Sequence, residues 1–536
     1  MKVPFLNWFR RKESRTPLPP VSSGGARAFE AAVTTNLNVD FVASYGSGNA
    51  NVLGSIFTVK GRSRTLANDF STVTGAIRTF KNQVVGDNPF PLSMQVGTWS
   101  ADGKTFTLDT KTNRMIEEAW EEAGNEENCT VRRDMSRMEV CQLIEASMLR
   151  DGSVLLRHRR GFPHNPFSYA IEVIDSSRLQ ENYMGKTVGG NAMRFSIERD
   201  EWNAPVAYHI LKRNPGDLFM TNAPGSQGVF RERVPADEIM HVNDLIDFPE
   251  QDLAMPAFTN AMLPLHLMRQ FDLAHRTAAV SSASKLGWIK KDYPTGMQMP
   301  GDPSTTLNWQ LDSSSLNSPM GQGDQFGRGN NKVENVQPGS WQRLDIGETP
   351  VLSDPRFPVE SAAGFKRDNM HDVANATGLS YAAVSADFEK LSFSVARSSE
   401  MPQRDYWKVR QKHHKNKYYR KWFAEWLKYA LLTQALPLPF ARYDEFVRAA
   451  KFGGKVWASI QPREDAETAI MEIEAGLKSP QEVAANRGVS LEQVYQEIAE
   501  AKAMAENHGL DFSSVEVTRA CWPFRKTSSA RVLFLW

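Results

Sequence analysis

The side chains that could carry out chemistry in this chain form no known catalytic pattern. The sequence lacks a phosphate-binding GxxxxGK[ST] loop, an HExxH zinc motif, a CxxC pair and a GxSxG nucleophile elbow. Its ten histidines are dispersed, and the adjacent His413 and His414 would diverge by about 100° on a helix, which disfavours a shared metal. We therefore predict no catalytic residue, no metal and no cofactor, and we expect this histidine pair to face solvent or an interface.

A glycine-rich run at Gly321–Gly329 is the other feature that could hold a phosphate. It has no Lys-Ser or Lys-Thr pair, no strand directly before it and no helix after it. The surrounding stretch, Asp292–Gly339, is rich in Ser, Asn, Gly and Pro, which favours a surface insertion over a phosphate site.

The segment Gly378–Ser399 joins two helical patterns through a polar stretch with one lysine, Lys390, near its middle. Gly378 follows the helical pattern of Phe365–Ala376 and is a predicted helix stop. By composition alone the segment is only a loop.

The order of motifs in this segment is specific. A G-[LV]-S-Y-x-x-[LV]-S turn occupies Gly378–Ser385, an aromatic residue follows at Phe388, and S-[FY]-S-x-A-R-x-S occupies Ser392–Ser399. This order resembles the portal proteins of lambda-like tailed bacteriophages. The resemblance implies that the segment is a loop that projects into the central tunnel of a ring and touches passing DNA. The DNA-facing residues implied are Asp387, Glu389, Lys390, Ser392 and Ser394.

Other phrases extend the resemblance over about residues 60–510. They include the [IV]-V-G ending at Val84–Gly86, the L-x-x-G-E-x-P phrase at Leu344–Pro350 and the I-E-A-G-L-x-[ST] phrase at Ile473–Ser479. The implied fold is α+β and portal-type, and it assembles as a cyclic ring, typically of about twelve subunits. The boundaries implied are a flexible basic arm and linker at 1–29, an α+β wing at 30–255, a first stem helix at 256–287, a clip at 288–356, a second stem helix at 357–378, a tunnel loop at 379–395, a long helix and wing return at 396–460, a helical crown at 461–510 and a tail of unknown structure at 511–536.

The function implied is that of a portal vertex, through which double-stranded DNA enters the procapsid and later leaves it. The implied partners are further copies of the chain, DNA without sequence specificity, the terminase large subunit, the head–tail adaptor, and the major capsid and scaffolding proteins. The protein would be made in the host cytoplasm and reside in the virion. The alternative from a different class is a nucleic-acid-processing enzyme or another head-completion protein.

Charge and composition limit how such a protein could contact DNA. With 63 Lys and Arg against 62 Asp and Glu, the formal charge is +1, so a strong DNA-binding domain is disfavoured. Basic residues crowd the helical pattern around residues 408–421, but they fall on several faces. Arg397, Lys408, Lys412 and Lys415 are therefore candidates for contact with DNA or with a neighbouring subunit, and a solvated or inter-subunit face is favoured over phosphate binding.

The termini and the cysteines indicate an intracellular, non-membrane protein. The basic, aromatic start Met1–Arg15 favours a flexible arm over a membrane-surface helix, and no apolar run approaches the roughly 20 residues of a membrane span. Three scattered cysteines fit a reducing compartment rather than a disulfide framework.

Hydrophobic periodicity predicts the elements that would position the loop. Helices are predicted at Arg64–Val84, Thr110–Glu122, Ser136–Leu149, Pro256–Leu286, Phe365–Ala376, Ala396–Leu432, Glu467–Glu474 and two further stretches that begin at Ser479 and Ser490. Strands are predicted at Val154–Arg157, Tyr169–Ile174, Met193–Ile197, Val206–Leu211, Glu238–Val242 and in Trp341–Leu352. The predicted helix with Pro264 either kinks there or begins near Met262.

Overall fold

The computed structural model describes most of the region from residue 46 to residue 508. The described residues are 46–99, 106–187, 189–216, 231–283, 287–291, 348–352, 362–387, 392–457, 461–486 and 491–508. The chain divides after Ser47, and every helix and strand below belongs to the unit that begins at Gly48. The predicted arm at 1–29, most of the predicted clip, and the tail at 511–536 lie outside the described residues.

Helices contain most of the residues in the described elements. They are α1 (Gly48–Asp69), α2 (Ser71–Phe80), α3 (Thr110–Ala123), α4 (Glu126–Cys129), α5 (Arg137–Asp151), α6 (Met262–Ala283), α7 (Ala362–Thr377), α8 (Tyr381–Ser385), α9 (Phe393–His414), α10 (Arg420–Leu432), α11 (Tyr443–Ala449), α12 (Pro462–Glu474), α13 (Pro480–Asn486) and α14 (Leu491–Asn507). A π-helical turn at Lys81–Val85 continues α2, and another at Lys415–Tyr419 joins α9 to α10.

The strands are short, and every strand pair is antiparallel. They are β1 (Leu92–Met94), β2 (Gly97–Trp99), β3 (Phe106–Leu108), β4 (Ser153–Arg160), β5 (Tyr169–Asp175), β6 (Gly185–Lys186), β7 (Ala192–Arg194), β8 (Ile197–Arg199), β9 (Pro205–Leu211), β10 (Arg231–Pro235), β11 (Ile239–Asn243), β12 (Gly287–Lys291), β13 (Glu348–Leu352) and β14 (Ala450–Phe452). One sheet has the order β11-β4-β5 and another β10-β9-β8-β7-β6; β1-β14, β2-β3 and β12-β13 pair alone.

The sheet β11-β4-β5 separates two hydrophobic cores. Leu156 and Ile171 join the larger core with α5 and α10, whereas Leu155 and Ile174 join a smaller core with the five-stranded sheet. Successive side chains of a strand point to opposite faces of the sheet. A strand in a sheet that is buried on both faces therefore has a nearly continuous run of apolar residues, as in Val154–Leu156.

Helix α5 has strong local signals at both ends. The Ser136 hydroxyl accepts a hydrogen bond from the Glu139 amide, and the Glu139 carboxylate accepts one from the Ser136 amide, which is a capping box. Gly152 ends the helix in the left-handed region at φ +81°. This is why α5 matches its sequence prediction closely.

The prediction of one helix over Arg64–Val84 is wrong at Phe70. That residue has extended backbone (φ −113°, ψ 113°), so α1 ends at Asp69 and α2 begins at Ser71. The Thr74 hydroxyl donates to the carbonyl oxygens of Ala67 and Phe70, at 2.8 and 3.0 Å. These local side-chain bonds satisfy carbonyl groups at the break, and apolar periodicity does not reveal them.

Helices α6 and α7 form an antiparallel pair. Helix α6 begins at Met262, one of the two predicted outcomes, so Pro264 lies in the first turn, where a missing amide donor costs little. The rings of Phe271 and Phe365 lie 4.6 Å apart, and Lys366 Nζ is 3.4 Å from Asp272 Oδ2. Strand β12 follows α6 and strand β13 precedes α7, and these two strands are hydrogen-bonded to each other.

Gly152 provides a test of how closely α5 packs against the chain that leads into α6. A Cβ at this position would lie 2.2 Å from the Ala254 carbonyl oxygen. We expect Gly152→Ala to destabilise the protein by about 3 kcal/mol or more, since both backbone strain and a backbone clash oppose it.

Gly161→Ala is the matched control, because Gly161 also has positive φ (+69°) but nothing lies within 4 Å of its added Cβ. It should cost only about 1–2 kcal/mol. Equal shifts of the thermal midpoint for the two variants would contradict the packing argument.

Candidate functional site

The segment Gly378–Ser399 is held by structure at both of its ends. Helix α7 ends at Thr377, and Gly378 turns the chain with φ +70°. The Ser380 hydroxyl caps α8 by accepting a hydrogen bond from the Ala383 amide, and Ser392 caps α9 by accepting one from the Val395 amide. The predicted tunnel loop at 379–395 thus includes a short helix, α8, at Tyr381–Ser385, and α9 begins within it at Phe393.

The predicted DNA-facing residues have different placements. Asp387 is exposed, and its amide donates to the Ser385 hydroxyl at 3.2 Å. Ser392 is also exposed, but its hydroxyl caps α9. Ser394 lies in the first turn of α9, and Glu389 and Lys390 lie outside the described residues. The structure thus describes the residues on both sides of 388–391, which lie outside the described residues.

The four candidate contact residues on the long helix also differ. Arg397 bonds with Gln461 and Asp465 at the start of α12, with its Nη2 3.3 Å from Asp465 Oδ1. Lys408 is exposed and its Nζ lies 3.1 Å from Asp405 Oδ1, while Lys412 is exposed. Lys415 is half-buried, donates to the Phe452 carbonyl at 3.4 Å, and has a pKa lowered by that burial. Lys408 and Lys412 are therefore more exposed than Arg397 and Lys415, which are both partly buried.

A buried charge cluster lies on the same helix, and sequence reasoning missed it. The Arg410 guanidinium makes a two-bond contact with the Glu145 carboxylate, at 2.8 and 3.1 Å, and its Nη1 lies 2.8 Å from Asp244 Oδ1. His414 Nε2 lies 2.6 Å from Glu145 Oε2, and His414 Nδ1 lies 3.0 Å from the Tyr418 hydroxyl. We refer to Arg410, Glu145, Asp244 and His414 as the charge cluster.

The expectation that the basic residues and the histidine pair face solvent or an interface is wrong for this part of the helix. Arg410 is 2% exposed and His414 is fully buried. His413 is half-buried, and its Nε2 lies 2.8 Å from the Asn243 carbonyl oxygen. The spacing of Arg410, His414 and the buried Tyr418 at i, i+4 and i+8 was the available signal, since it places all three on one helix face.

The electrostatics of the cluster depend on mutual compensation. Burial alone would raise the pKa of Glu145, but the charge of Arg410 and the hydrogen bond from His414 lower it to about 2. Arg410 shows the converse, since burial opposes its charge while Glu145 and Asp244 raise its pKa. Such a cluster is stable only when complete, because removal of one partner leaves an uncompensated buried charge.

Metal-binding groups and membrane-spanning helices would indicate other functional classes. Across the described ranges, no group of three His, Cys, Asp or Glu side chains is arranged to hold a metal ion. The same part of the chain contains no helix long and apolar enough to cross a membrane.

Comparison with known families identifies the chain. The family model described as phage portal protein, lambda family, matches residues 34–411, which is well over half of the sequence. The chain belongs to this family. The resemblance seen in the sequence is thereby confirmed, and the family is a structural one. The matched range includes α6, α7, the segment Gly378–Ser399 and α9 as far as Gln411.

Individual relatives agree with the family. A probable portal protein of Halomonas phage phiHAP-1 is 26% identical over 477 residues, which is 88% of this chain and 86% of the relative. Portal protein B of Escherichia phage lambda is 25% identical over 173 residues, 31% of each chain. A solved structure of the neck of an empty GTA particle, computed with C6 symmetry, covers 85% of this chain and 98% of its own, with 12% identity and a TM-score of 0.39.

Removal of Arg410 tests the charge cluster of this portal-family chain. We expect Arg410→Met to destabilise the fold by about 3–5 kcal/mol, because Glu145 and Asp244 lose the cation that compensates them. Lys408→Met is the matched control on an exposed part of α9, with an expected cost of about 0.5 kcal/mol or less. Chemical unfolding followed by tryptophan fluorescence measures both. Adding Glu145→Gln and Asp244→Asn to Arg410→Met should recover part of the lost stability, because both uncompensated charges are removed. If the triple variant is no more stable than Arg410→Met, then lost packing rather than charge is the cause.

Proposed function

We propose that this chain forms the portal vertex of a tailed-phage capsid as a closed ring, whose channel carries double-stranded DNA during packaging and ejection. The observation that carries the proposal is membership of the portal family over residues 34–411. A ring of identical subunits needs two different complementary surfaces on each subunit, which close on themselves around the axis. The proposed site of the protein is the capsid vertex in the virion.

The arrangement of α6, α7 and α9 supports a channel role for the segment Gly378–Ser399. The antiparallel pair α6 and α7 forms the stem, and α7 leads through Gly378 directly into the segment. Leu379 and Val384 are buried in the larger core, so the upstream end of the segment has a fixed position. The stretch around Lys390 lies outside the described residues, and its contact with DNA in the channel is part of the proposal.

The balance of charge supports passage of DNA rather than tight binding. The chain has 63 basic and 62 acidic side chains, so it lacks the excess of cations that drives sequence-independent DNA affinity. One Lys390 in each subunit, beside Asp387 and Glu389, gives a ring of weak contacts. Such contacts guide a polyanion without stopping it, because each is modest and is screened by salt.

Partners outside the ring supply the remaining steps. We propose that a separate terminase supplies the energy for packaging, and that a head–tail adaptor, the major capsid protein and scaffolding proteins contact other surfaces of the ring. The predicted clip at 288–356 is the proposed meeting point with the terminase and then with the adaptor. No described residue is assigned to an individual partner.

The state of assembly is the first test of this proposal. We expect the purified protein to form a discrete particle of roughly 700 kDa, about twelve copies, with a central hole in negative-stain images. The same preparation should hydrolyse no ATP, since the sequence has no Walker A motif. A monomer or dimer with nuclease activity would instead support the nucleic-acid-processing alternative.

Lys390 tests the DNA contact separately from assembly. We expect Lys390→Ala to leave the ring intact and to reduce the length or retention of packaged DNA, because one cation per subunit is lost from the channel. Lys421→Ala is the matched control, since Lys421 is exposed on α10, outside the segment.

A second variant, deletion of Glu389–Leu391, should have the same effect on DNA and spare the Ser392 cap of α9. Loss of the ring in either variant would show that the segment is part of the structural core. Normal packaging in both would remove the proposed DNA contact.

A further inference from the structure

Helix α12 (Pro462–Glu474) packs only partly against the described residues of its own subunit. None of its 13 residues is buried there, and Ile470 and Met471 are 56% and 60% exposed. An isolated helix of this length is marginal in water, so most of its stability must come from packing against another element. Large exposed apolar side chains near one another are also typical of an interaction surface.

Two sides of α12 have different roles. Asp465, with Gln461 just before the helix, bonds to Arg397 of α9 in the same subunit. Another side carries Glu464, Glu467, Met471 and Glu474, and their spacing of three and four residues places them on one face of the helix. We call this side the outer face. Because successive residues are about 100° apart, the outer face is directed away from Asp465.

Helix α9 has an exposed surface of matching character. Met401 is 59% exposed and Val409 is 53% exposed, and charged side chains lie between them. We call this surface the α9 stripe; it consists of Met401, Asp405, Lys408, Val409 and Lys412. Most of these positions recur at intervals of three and four, so they share one side of the helix. Arg410, the buried member of the charge cluster, faces the other side.

We propose that the outer face of α12 packs against the α9 stripe of the adjacent subunit. This inference rests on the ring of the proposed function. Because Arg397 joins the start of α9 to the start of α12 within one subunit, these two helix ends lie at one level of the proposed ring. A face of α12 directed away from its own α9 then meets the α9 of the next subunit, in a head-to-tail contact that closes around the axis.

The chemistry of the two surfaces is complementary. Met471 and Met401 are flexible apolar side chains that adapt to each other's shape. Helix α12 carries five acidic side chains and one basic side chain. The α9 stripe carries two lysines and one aspartate, Asp405, which pairs with Lys408, so the stripe keeps a small net positive charge. Opposite charges at an interface favour one partner and one orientation more than they add raw affinity. The contact assigns Lys408 and Lys412 to subunit packing rather than to DNA.

A thiol cross-link between the two helices tests the contact directly. The variant carries Met401→Cys and Met471→Cys, with Cys521→Ser to remove a competing thiol; Cys129 and Cys141 are 2% and 0% exposed and should not react. The assembled ring is treated with a short bis-maleimide, which tolerates a small offset between the two positions. We expect a ladder of dimers and higher multimers on a denaturing gel.

Controls separate this inference from the ring itself. Trp202→Cys replaces Met471→Cys in the matched pair, because Trp202 is 89% exposed in the turn between β8 and β9. This pair should give no ladder. An intact ring that yields only monomers, or only links within one chain, overturns the proposed contact and leaves the ring standing. Failure of the unmodified protein to form a ring overturns the proposed function instead.

Charge reversal provides an independent measurement. Glu464→Lys with Glu474→Lys should raise the protein concentration needed for ring assembly about tenfold at low salt, because like charges then face Lys408 and Lys412. Lys408→Glu with Lys412→Glu in the same chain should restore assembly. If the lysine variants alone change DNA retention while assembly is unaffected, the stripe contacts DNA and the proposal is wrong.

Discussion

The contact of Arg410 with Glu145 and Asp244 is the interaction on which the described structure depends. A guanidinium that is 2% exposed must be neutralised locally, and the two carboxylates come from α5 and from the chain directly after β11. A charge of this kind tolerates few alternative arrangements, because any arrangement that separates the partners leaves a buried ion. The cluster therefore fixes α9 against α5 and the sheet β11-β4-β5 in one register.

That register determines where the segment Gly378–Ser399 can lie. Its downstream end is the first turn of α9, and α9 is held at Arg410 and His414. Its upstream end follows α7 and is held by apolar side chains, among them Leu379 and Val384. One end is thus positioned by charge and the other by packing. A short stretch anchored so differently at its two ends can vary in sequence without loss of its position.

The elements were more predictable from sequence than the contacts between them. Capping residues such as Ser136 and stops such as Gly378 act within a few residues, so the bounds of α5 and α7 followed from local patterns. The break at Phe70 is accompanied by hydrogen bonds from the nearby Thr74 hydroxyl, which apolar periodicity does not reveal. The burial of Arg410 depends on a partner far away in the sequence, Glu145, 265 residues earlier. The spacing of Arg410, His414 and Tyr418 indicates a shared helix face, but it does not identify that partner. The predicted role of Lys390 remains a prediction.

The π-helical turn at Lys415–Tyr419 determines which side chains the long helix buries. This turn holds one residue more than an α-helical turn, and it places both Tyr418 and Tyr419 in the core, each fully buried. Adjacent residues of a regular α-helix point about 100° apart, so a regular turn would not readily bury both rings. The wider turn also rotates α10 relative to α9, so the face of α9 that carries Arg410 and the face of α10 that carries Trp422 and Trp426 can both be buried.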